Sequence, residues 1–278
     1  MSSPSVHNAL AAQKAWATSS GLPFDERGYV STVEGNLRRP LSTVAHRAFE
    51  EADGAELRDR SDAPAKMRAL LSSSALAVNV FDYWMEGDIV PLASVLGARG
   101  NATGLEFERK LPTGARGTPP NLDVVLTTAE EMVGIESKFT EWMTAKSNHS
   151  ESLAPYFRAS PSRWEALGLS ACARLAEDVY RGAQIFSHLD VPQLLKHALG
   201  LSNAGAPSWA LTYVWYDTSC GIGDQHREEL ARFATAVGTE IRFRALSYQS
   251  LVKGLSEVRD VDGDYLAYLR ERYGFGGN

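Results

Sequence analysis

The sequence predicts an α/β fold in which a central mixed β-sheet lies between layers of helices, preceded by a helical N-terminal region. Short segments alternate apolar and polar residues with the period of two that a strand requires, whereas longer segments repeat apolar residues at helical spacing. The segments follow the order strand, strand, strand, helix, strand, helix, strand. We expect the first strands to be antiparallel, and those reached through a helix to run parallel to their neighbours with right-handed connections.

The composition is that of an ordinary globular protein, with 44% apolar and 22% charged residues in 278. This length is near the upper limit for one hydrophobic core. We therefore expect a single domain, with a mainly helical region over residues 1–100, a core over 101–256, and a C-terminal helix and tail over 257–278.

The formal net charge of −6 argues against a protein that coats nucleic acid through a basic surface. It leaves room for a local basic patch that contacts phosphates. Two cysteines without metal-ligand spacing indicate a reducing cytoplasm. No N-terminal signal segment or bilayer-length apolar run is found, so we expect no membrane association.

In the N-terminal region, apolar residues recur at helical spacing in three segments that are separated by irregular chain. Gly21–Arg39 is expected to form an irregular arm, and Met85–Asn101 a connector that contains a short apolar piece. The predicted helices are Ala9–Thr18, Leu41–Gly54 and Pro64–Trp84.

The remaining elements follow from alternation, β-prone composition and helical periodicity. The predicted strands are Leu105–Leu111, Leu122–Leu126, Met132–Phe139, Trp209–Tyr216 and Glu240–Leu246. The predicted helices are Ser170–Ser187, Val191–Leu201, Asp224–Val237, Tyr248–Leu255 and Val261–Tyr273.

The second and third predicted strands form a hairpin that carries three charged residues. Asp123 begins the first strand, and Glu136 and Lys138 lie two residues apart near the end of the second, so on one face. A turn at Thr127–Glu131 would bring Asp123 beside them, with one apolar and one charged face to the hairpin. Two carboxylates and a lysine in this arrangement indicate a site for a hard divalent cation, which prefers oxygen ligands.

The pattern D-x(12)-E-x-K on a hairpin resembles the core of the PD-(D/E)xK nuclease superfamily, which has the restriction-endonuclease-like fold. Ser72–Phe81 (SSSALAVNVF) and Gln193–Leu201 (QLLKHALGL) are similar to a bacterial restriction-endonuclease-like branch. The pattern departs at Leu122, where the superfamily motif has proline. The resemblance covers roughly residues 70–250 and implies a three-layer core with a central mixed sheet flanked by helices.

The resemblance further implies a metal-dependent nuclease, most simply a DNA endonuclease. Asp123 and Glu136 would hold Mg²⁺ or Mn²⁺, with the backbone carbonyl of Ser137 as a further ligand. Lys138 would orient the attacking water near the scissile phosphate. The partner would be nucleic acid, and a homodimer is one arrangement that would cut both strands of a duplex.

A third acidic ligand has several candidates. Glu108 lies on the preceding strand and would come within reach of Asp123 as an antiparallel neighbour, although a slip of one residue would turn it away. Superfamily members also take an acid from a helix before the hairpin. Glu50, Glu51 and Glu86 have that position, and a solvated helix face is the alternative for each.

Two residues are candidates for substrate binding. Arg116 lies in the glycine- and proline-rich loop Pro112–Pro120 and could contact a phosphate, or could simply be solvated. Gln193 lies on the helix from which the superfamily often sets a polar residue beside the site. His197, four residues later on the same face, is either a part of that site or structural.

Two other functions remain as alternatives. The same fold could serve as a catalytically weak or inactive subunit for nucleic-acid binding or assembly, although the complete Asp, Glu and Lys set argues against it. A different enzyme could use His188 and His197 as metal ligands, but no cysteine or third histidine lies nearby at ligand spacing.

Overall fold

A computed structural model describes residues 4–52, 54–115, 119–146, 149–157, 161–219 and 221–275. Within these residues, five strands form one sheet in the order β1-β2-β3-β4-β5. The strands β1 to β3 are antiparallel neighbours, whereas β4 runs parallel to β3 and β5 parallel to β4. This confirms the predicted mixed sheet. The strands are β1 (Ala102–Lys110), β2 (Asn121–Thr128), β3 (Met132–Lys138), β4 (Trp209–Trp215) and β5 (Phe243–Ser247).

Helices cover both faces of the sheet, as expected for a layered α/β fold. In the N-terminal region they are α1 (Pro4–Ser19), α2 (Thr43–Glu51), α3 (Ser73–Phe81) and α4 (Val90–Leu96). In the remainder they are α5 (Arg163–Ala166), α6 (Ser170–Tyr180), α7 (Val191–Asn203), α8 (Gly221–Val237), α9 (Tyr248–Glu257) and α10 (Gly263–Tyr273). None of the helices in the described ranges combines the length and apolar character needed to cross a membrane.

Two apolar clusters pack on opposite sides of the sheet. One contains Val124 and Ile135 together with residues of α3, α9 and α10, and the other contains Val125 and Met132 together with residues of α6, α7 and α8. The predicted hairpin is confirmed, but the prediction that it has one apolar and one charged face is wrong. Its strands β2 and β3 are interior to a sheet covered on both sides, so they are apolar on both faces.

The segment Pro64–Trp84 is not the single helix that its periodicity predicts. It begins with a 3₁₀ turn at Lys66–Arg68, and α3 starts only after Ser72, whose side chain accepts the N–H of Ala75. The N-cap at Ser72 stabilises a new helix start. The predicted connector contains α4, which ends at Leu96 and is capped by Gly97 in the left-handed conformation that favours glycine.

A buried arginine joins the two ends of the chain. Arg272 on α10 is 2% exposed and donates to the backbone oxygen of Asn36 at 2.7 Å and to the Tyr268 hydroxyl at 2.6 Å. The Gln13 amide of α1 donates to the backbone oxygen of Arg272 at 2.7 Å, and the guanidinium lies over the Trp16 ring. The predicted C-terminal helix thus docks on the core of its own chain.

We expect Arg272→Ala to lower the free energy of unfolding by about 3 kcal/mol, because it leaves the buried side-chain oxygen of Asn36 without its Arg272 donor and leaves the backbone oxygen with only the Asn79 amide. Arg270→Ala is the matched control, since Arg270 is exposed on the same helix, and we expect it to change stability by less than about 0.5 kcal/mol. Urea unfolding followed by tryptophan fluorescence measures both. Equal stabilities for the two variants would contradict the structural role of Arg272.

Candidate active site

The candidate site lies where strands β2 and β3 separate. Their pairing runs from Thr127–Met132 to Val124–Ile135 and ends there. Beyond the last pair, the Asp123 carboxylate accepts the backbone N–H of Ser137 at 2.6 Å. The carboxylate therefore takes the place of the next backbone pair and lies beside the Glu136–Lys138 stretch, where the hairpin pattern predicts it.

The carboxylate of Glu136 is almost fully buried and contacts two basic side chains. One oxygen, Oε1, contacts the ammonium of Lys138, and the other, Oε2, lies 2.8 Å from Nε2 of His197 on α7. The Glu136 and His197 side chains are each 1% exposed, and that of Lys138 is 13% exposed. Glu136 is thus held between the end of its own strand and a helix that covers the sheet.

Of the two candidates on α7, His197 and not Gln193 contacts Glu136. The backbone N–H of Gln193 donates to the Asp190 side chain, which caps the helix. In the described part of the chain, no hydrogen bond joins the Gln193 side chain to Asp123, Glu136 or Lys138. A substrate-binding role for Gln193 stays a prediction, and Arg116 lies outside the described residues.

Ser137 is held in place by contacts of its backbone and of its side chain. Its N–H donates to Asp123, and its hydroxyl lies 2.5 Å from the buried Tyr248 hydroxyl at the start of α9. The carbonyl of the next residue, Lys138, accepts the N–H of Tyr216 from the β4 side. Because successive carbonyls of a strand point in opposite directions, the Ser137 carbonyl points away from β4, to the side of the strand on which β2 lies.

Glu108 lies opposite Asp123 in the β1–β2 register, between the pairs Phe107–Val124 and Arg109–Leu122. Its φ of 50° is in the left-handed region, and its carboxylate accepts the Asn121 side-chain amide at 2.8 Å. Burial raises the pKa of Glu108, and the charges of Glu56 and Glu136 raise it further. The structure therefore places Glu108 close to Asp123 and Glu136. The role of Glu108 as a metal ligand stays a prediction.

Glu56 is an acid of this group that the sequence analysis does not identify. It is 8% exposed, accepts the Ser74 hydroxyl at 2.9 Å and lies 3.3 Å from Lys66 Nζ. Its charge contributes to the raised pKa of Glu108. Glu56 follows α2 in irregular chain without periodic pattern, so no sequence signal distinguishes it.

The three acids considered from the N-terminal region instead form surface ion pairs. Glu50 pairs with Arg58 at 3.0 Å, Glu51 with Arg47 at 2.8 Å and Glu86 with Arg39 at 3.1 Å. Exposed pairs of this kind contribute little to stability. For these acids the structure favours the solvated alternative.

The carboxyl groups of Asp123 and Glu136 have pKa shifts in opposite directions. Burial raises the pKa of Asp123 well above its usual value, and the charges of Glu136 and Glu108 add to the effect. Burial alone would also raise the pKa of Glu136, but Lys138 and His197 hold it near 2. Burial would lower the pKa of Lys138, yet Glu136 and Asp123 hold it well above normal. Nearby charges thus decide which acid is ionised.

The donor set fits a hard divalent cation. Both Glu136 oxygens are buried. Their contacts with Lys138 and His197 do not have the geometry of hydrogen bonds, so the oxygen lone pairs are incompletely satisfied. The described residues contain no cluster of three or more histidine, cysteine, aspartate or glutamate side chains arranged as metal ligands. Mg²⁺ commonly binds through one or two carboxylates while it keeps several waters, and Asp123, Glu136 and the Ser137 carbonyl would satisfy that need.

The two histidines of the alternative metal site have different partners. His188 Nδ1 lies 2.7 Å from the backbone oxygen of Trp142, whereas His197 contacts Glu136. The backbone N–H of His188 donates to Glu229, which also accepts from Ser187 and Leu189. These contacts give His188 a structural role and do not support a two-histidine site.

We expect Asp123→Asn to stabilise the metal-free protein at neutral pH by on the order of 1 kcal/mol. Because the pKa of Asp123 is raised in the folded state, its ionisation destabilises the fold. This cost is absent below the unfolded pKa of about 3.9, grows as the pH rises from there to the raised folded pKa, and is complete above it. Urea unfolding in EDTA across the acidic to neutral range measures it. A variant that is less stable than the wild-type protein at neutral pH would contradict the assignment.

We expect Glu108→Asn also to stabilise the metal-free protein, by about 1 kcal/mol. Asparagine tolerates the left-handed conformation better than glutamate, and a strained residue of this kind costs on the order of 1–3 kcal/mol. Glu106→Asn is the matched control, because Glu106 is exposed on the same strand without a positive φ. Thermal unfolding compares the two, and an equal loss of stability in both would contradict strain at Glu108.

Comparison with known proteins adds one finding. Residues 9–274 match the family described as restriction endonuclease associating with ARP. No curated protein and no solved structure shows a significant match. The match spans nearly the whole chain and agrees with the resemblance carried by the hairpin motif. The chain belongs to the family of restriction endonucleases associating with ARP, which confirms the predicted restriction-endonuclease-like membership.

Proposed function

We propose that the protein is a metal-dependent nuclease that hydrolyses phosphodiester bonds, with DNA as its substrate. The observation that carries the proposal is the close grouping of half-buried Asp123, buried Glu136 and partly exposed Lys138 at the separating ends of β2 and β3. The family description, which names a restriction endonuclease, supports the same reaction.

Asp123 and Glu136 would hold Mg²⁺ or Mn²⁺ together with the Ser137 carbonyl. When bound, the cation would lower the pKa of a coordinated water and neutralise charge on the phosphate oxygens. Glu108 lies against the same group and would provide a further oxygen, directly or through water. Burial raises the pKa of Asp123 and of Glu108, and repulsion from Glu136 raises both further, so a cation here would relieve that repulsion.

Lys138 would act on the water and the phosphate. Its ammonium is charged at neutral pH, because the neighbouring carboxylates hold its pKa well above normal. A charge pair at ~4 Å near a protein surface interacts by about 4 kcal/mol. Lys138 placed beside the phosphate would therefore orient the attacking water and stabilise the additional negative charge of the transition state.

Substrate and partner contacts beyond this group are also proposals. Arg116 and Gln193 remain candidates for contact with the nucleic acid, and a homodimer remains a candidate arrangement for cutting both strands. A cytoplasmic location stays a proposal from the cysteine content. The family description also names association with ARP, so a second candidate function is that of a weakly active or inactive subunit that acts within an assembly.

We expect the purified protein to cut plasmid or single-stranded DNA with Mg²⁺ or Mn²⁺ and not in EDTA. Lys138→Ala should lower the rate by at least about 100-fold, because the charge beside the phosphate is lost. Lys253→Ala is the matched control, since Lys253 is an exposed lysine of α9, and it should cut at the wild-type rate. Gel electrophoresis over a time course measures all three proteins.

Two outcomes would contradict the proposal. Cleavage that persists undiminished in folded Lys138→Ala would show that the activity does not come from this group. Absence of both cleavage and Mn²⁺ binding in the wild-type protein would favour the non-catalytic subunit.

A further inference from the structure

The two oxygens of the Glu136 carboxylate have neighbours of different mobility. His197, at Oε2, projects from the middle of α7, and that helix is buried against β3 and β4 by Leu194, Leu195 and Ala198. Lys138, at Oε1, is the last residue of β3, and its side chain remains partly exposed. The imidazole is thus fixed by its helix, whereas the flexible lysine side chain can change its position.

A cation that binds Glu136 must share the carboxylate with its present neighbours. A metal-ligating carboxylate keeps its orientation through contacts made by its other oxygen. His197 is 2% exposed and packed on every side, so it has little room to leave Oε2. Lys138 carries a positive charge close to the position of the cation, so repulsion would drive it away from Oε1 toward the phosphate.

We infer that His197 is a positioning residue that holds Oε2 of Glu136, while Oε1 is exchanged between Lys138 and the divalent cation. Cation binding then releases the Lys138 ammonium to the substrate, so the metal and the catalytic lysine are coupled through one carboxylate. This inference rests on the proposed function, because it assumes that Glu136 is a metal ligand. The sequence resemblance implies that this helix contacts the lysine or the nucleic acid. The inference adds a contact between α7 and Glu136, made by His197.

The inference predicts opposite effects for the two neighbours of Glu136 on metal binding in the absence of nucleic acid. His197→Ala should weaken Mn²⁺ binding by about 10–100-fold, the usual effect of removing a group that orients a ligand. His197→Gln retains an amide donor of similar reach and should bind within about threefold of the wild-type protein. Lys138→Met should bind Mn²⁺ more tightly than the wild-type protein, because the competing charge is gone.

A control separates positioning from loss of packing. Leu199 is a fully buried residue of α7 and belongs to the same apolar cluster as Leu194 and Leu195. Leu199→Ala should lose stability, by about 2–5 kcal/mol, and should keep its Mn²⁺ affinity. Calorimetric titration of each folded, metal-free protein with Mn²⁺ gives the affinities, and urea unfolding gives the stabilities.

The outcomes distinguish this inference from the proposed function. If the wild-type protein binds Mn²⁺ and His197→Ala binds it equally well, the positioning role is wrong and the metal site stands. If Leu199→Ala weakens binding as much as His197→Ala, the effect is one of packing and the inference fails. If Lys138→Met binds Mn²⁺ no more tightly than the wild-type protein, the exchange at Oε1 is wrong. If the wild-type protein binds no Mn²⁺, both the inference and the proposed metal site fail.

Discussion

Repulsion between closely placed carboxylates is the constraint on which the rest of the site depends. Burial raises the pKa of Asp123 and of Glu108, and the charge of the buried Glu136 raises both further. Placing charges of one sign together in such a position is costly unless something compensates them. Lys138 and His197 compensate Glu136, and the remaining excess of acid is what a divalent cation would neutralise.

The fold creates this constraint by covering the sheet on both faces. The hairpin of β2 and β3 is interior to the sheet, so its charged residues have little access to solvent on either face. Asp123 instead enters the gap where the two strands separate and accepts the N–H of Ser137. The buried sheet therefore provides the scaffold, and the end of the β2–β3 pairing, where the two strands separate, provides the site.

The sequence was sufficient to predict the features of the site that depend on residues close together along the chain. The period of two and the short turn place Asp123 beside Glu136 and Lys138. The same alternation made Glu108 a candidate neighbour of Asp123, but only the β1–β2 register of the structure places it opposite. Glu56 and His197 reach the group from irregular chain and from α7, and only tertiary packing decides that. Gln193 and His197 share a helix face, so the pattern could not tell which one contacts Glu136. The break before α3 depended on the capping contact of Ser72, which periodicity does not show.

The central claim is that the separated ends of β2 and β3 bind a divalent cation. Its most direct test is an anomalous difference map from a crystal of the protein soaked in Mn²⁺. The account predicts a peak within coordination distance, about 2.0–2.6 Å, of the Asp123 and Glu136 carboxylates and of the Ser137 carbonyl. A saturated crystal with no peak at this position, or with its Mn²⁺ bound elsewhere, would contradict it.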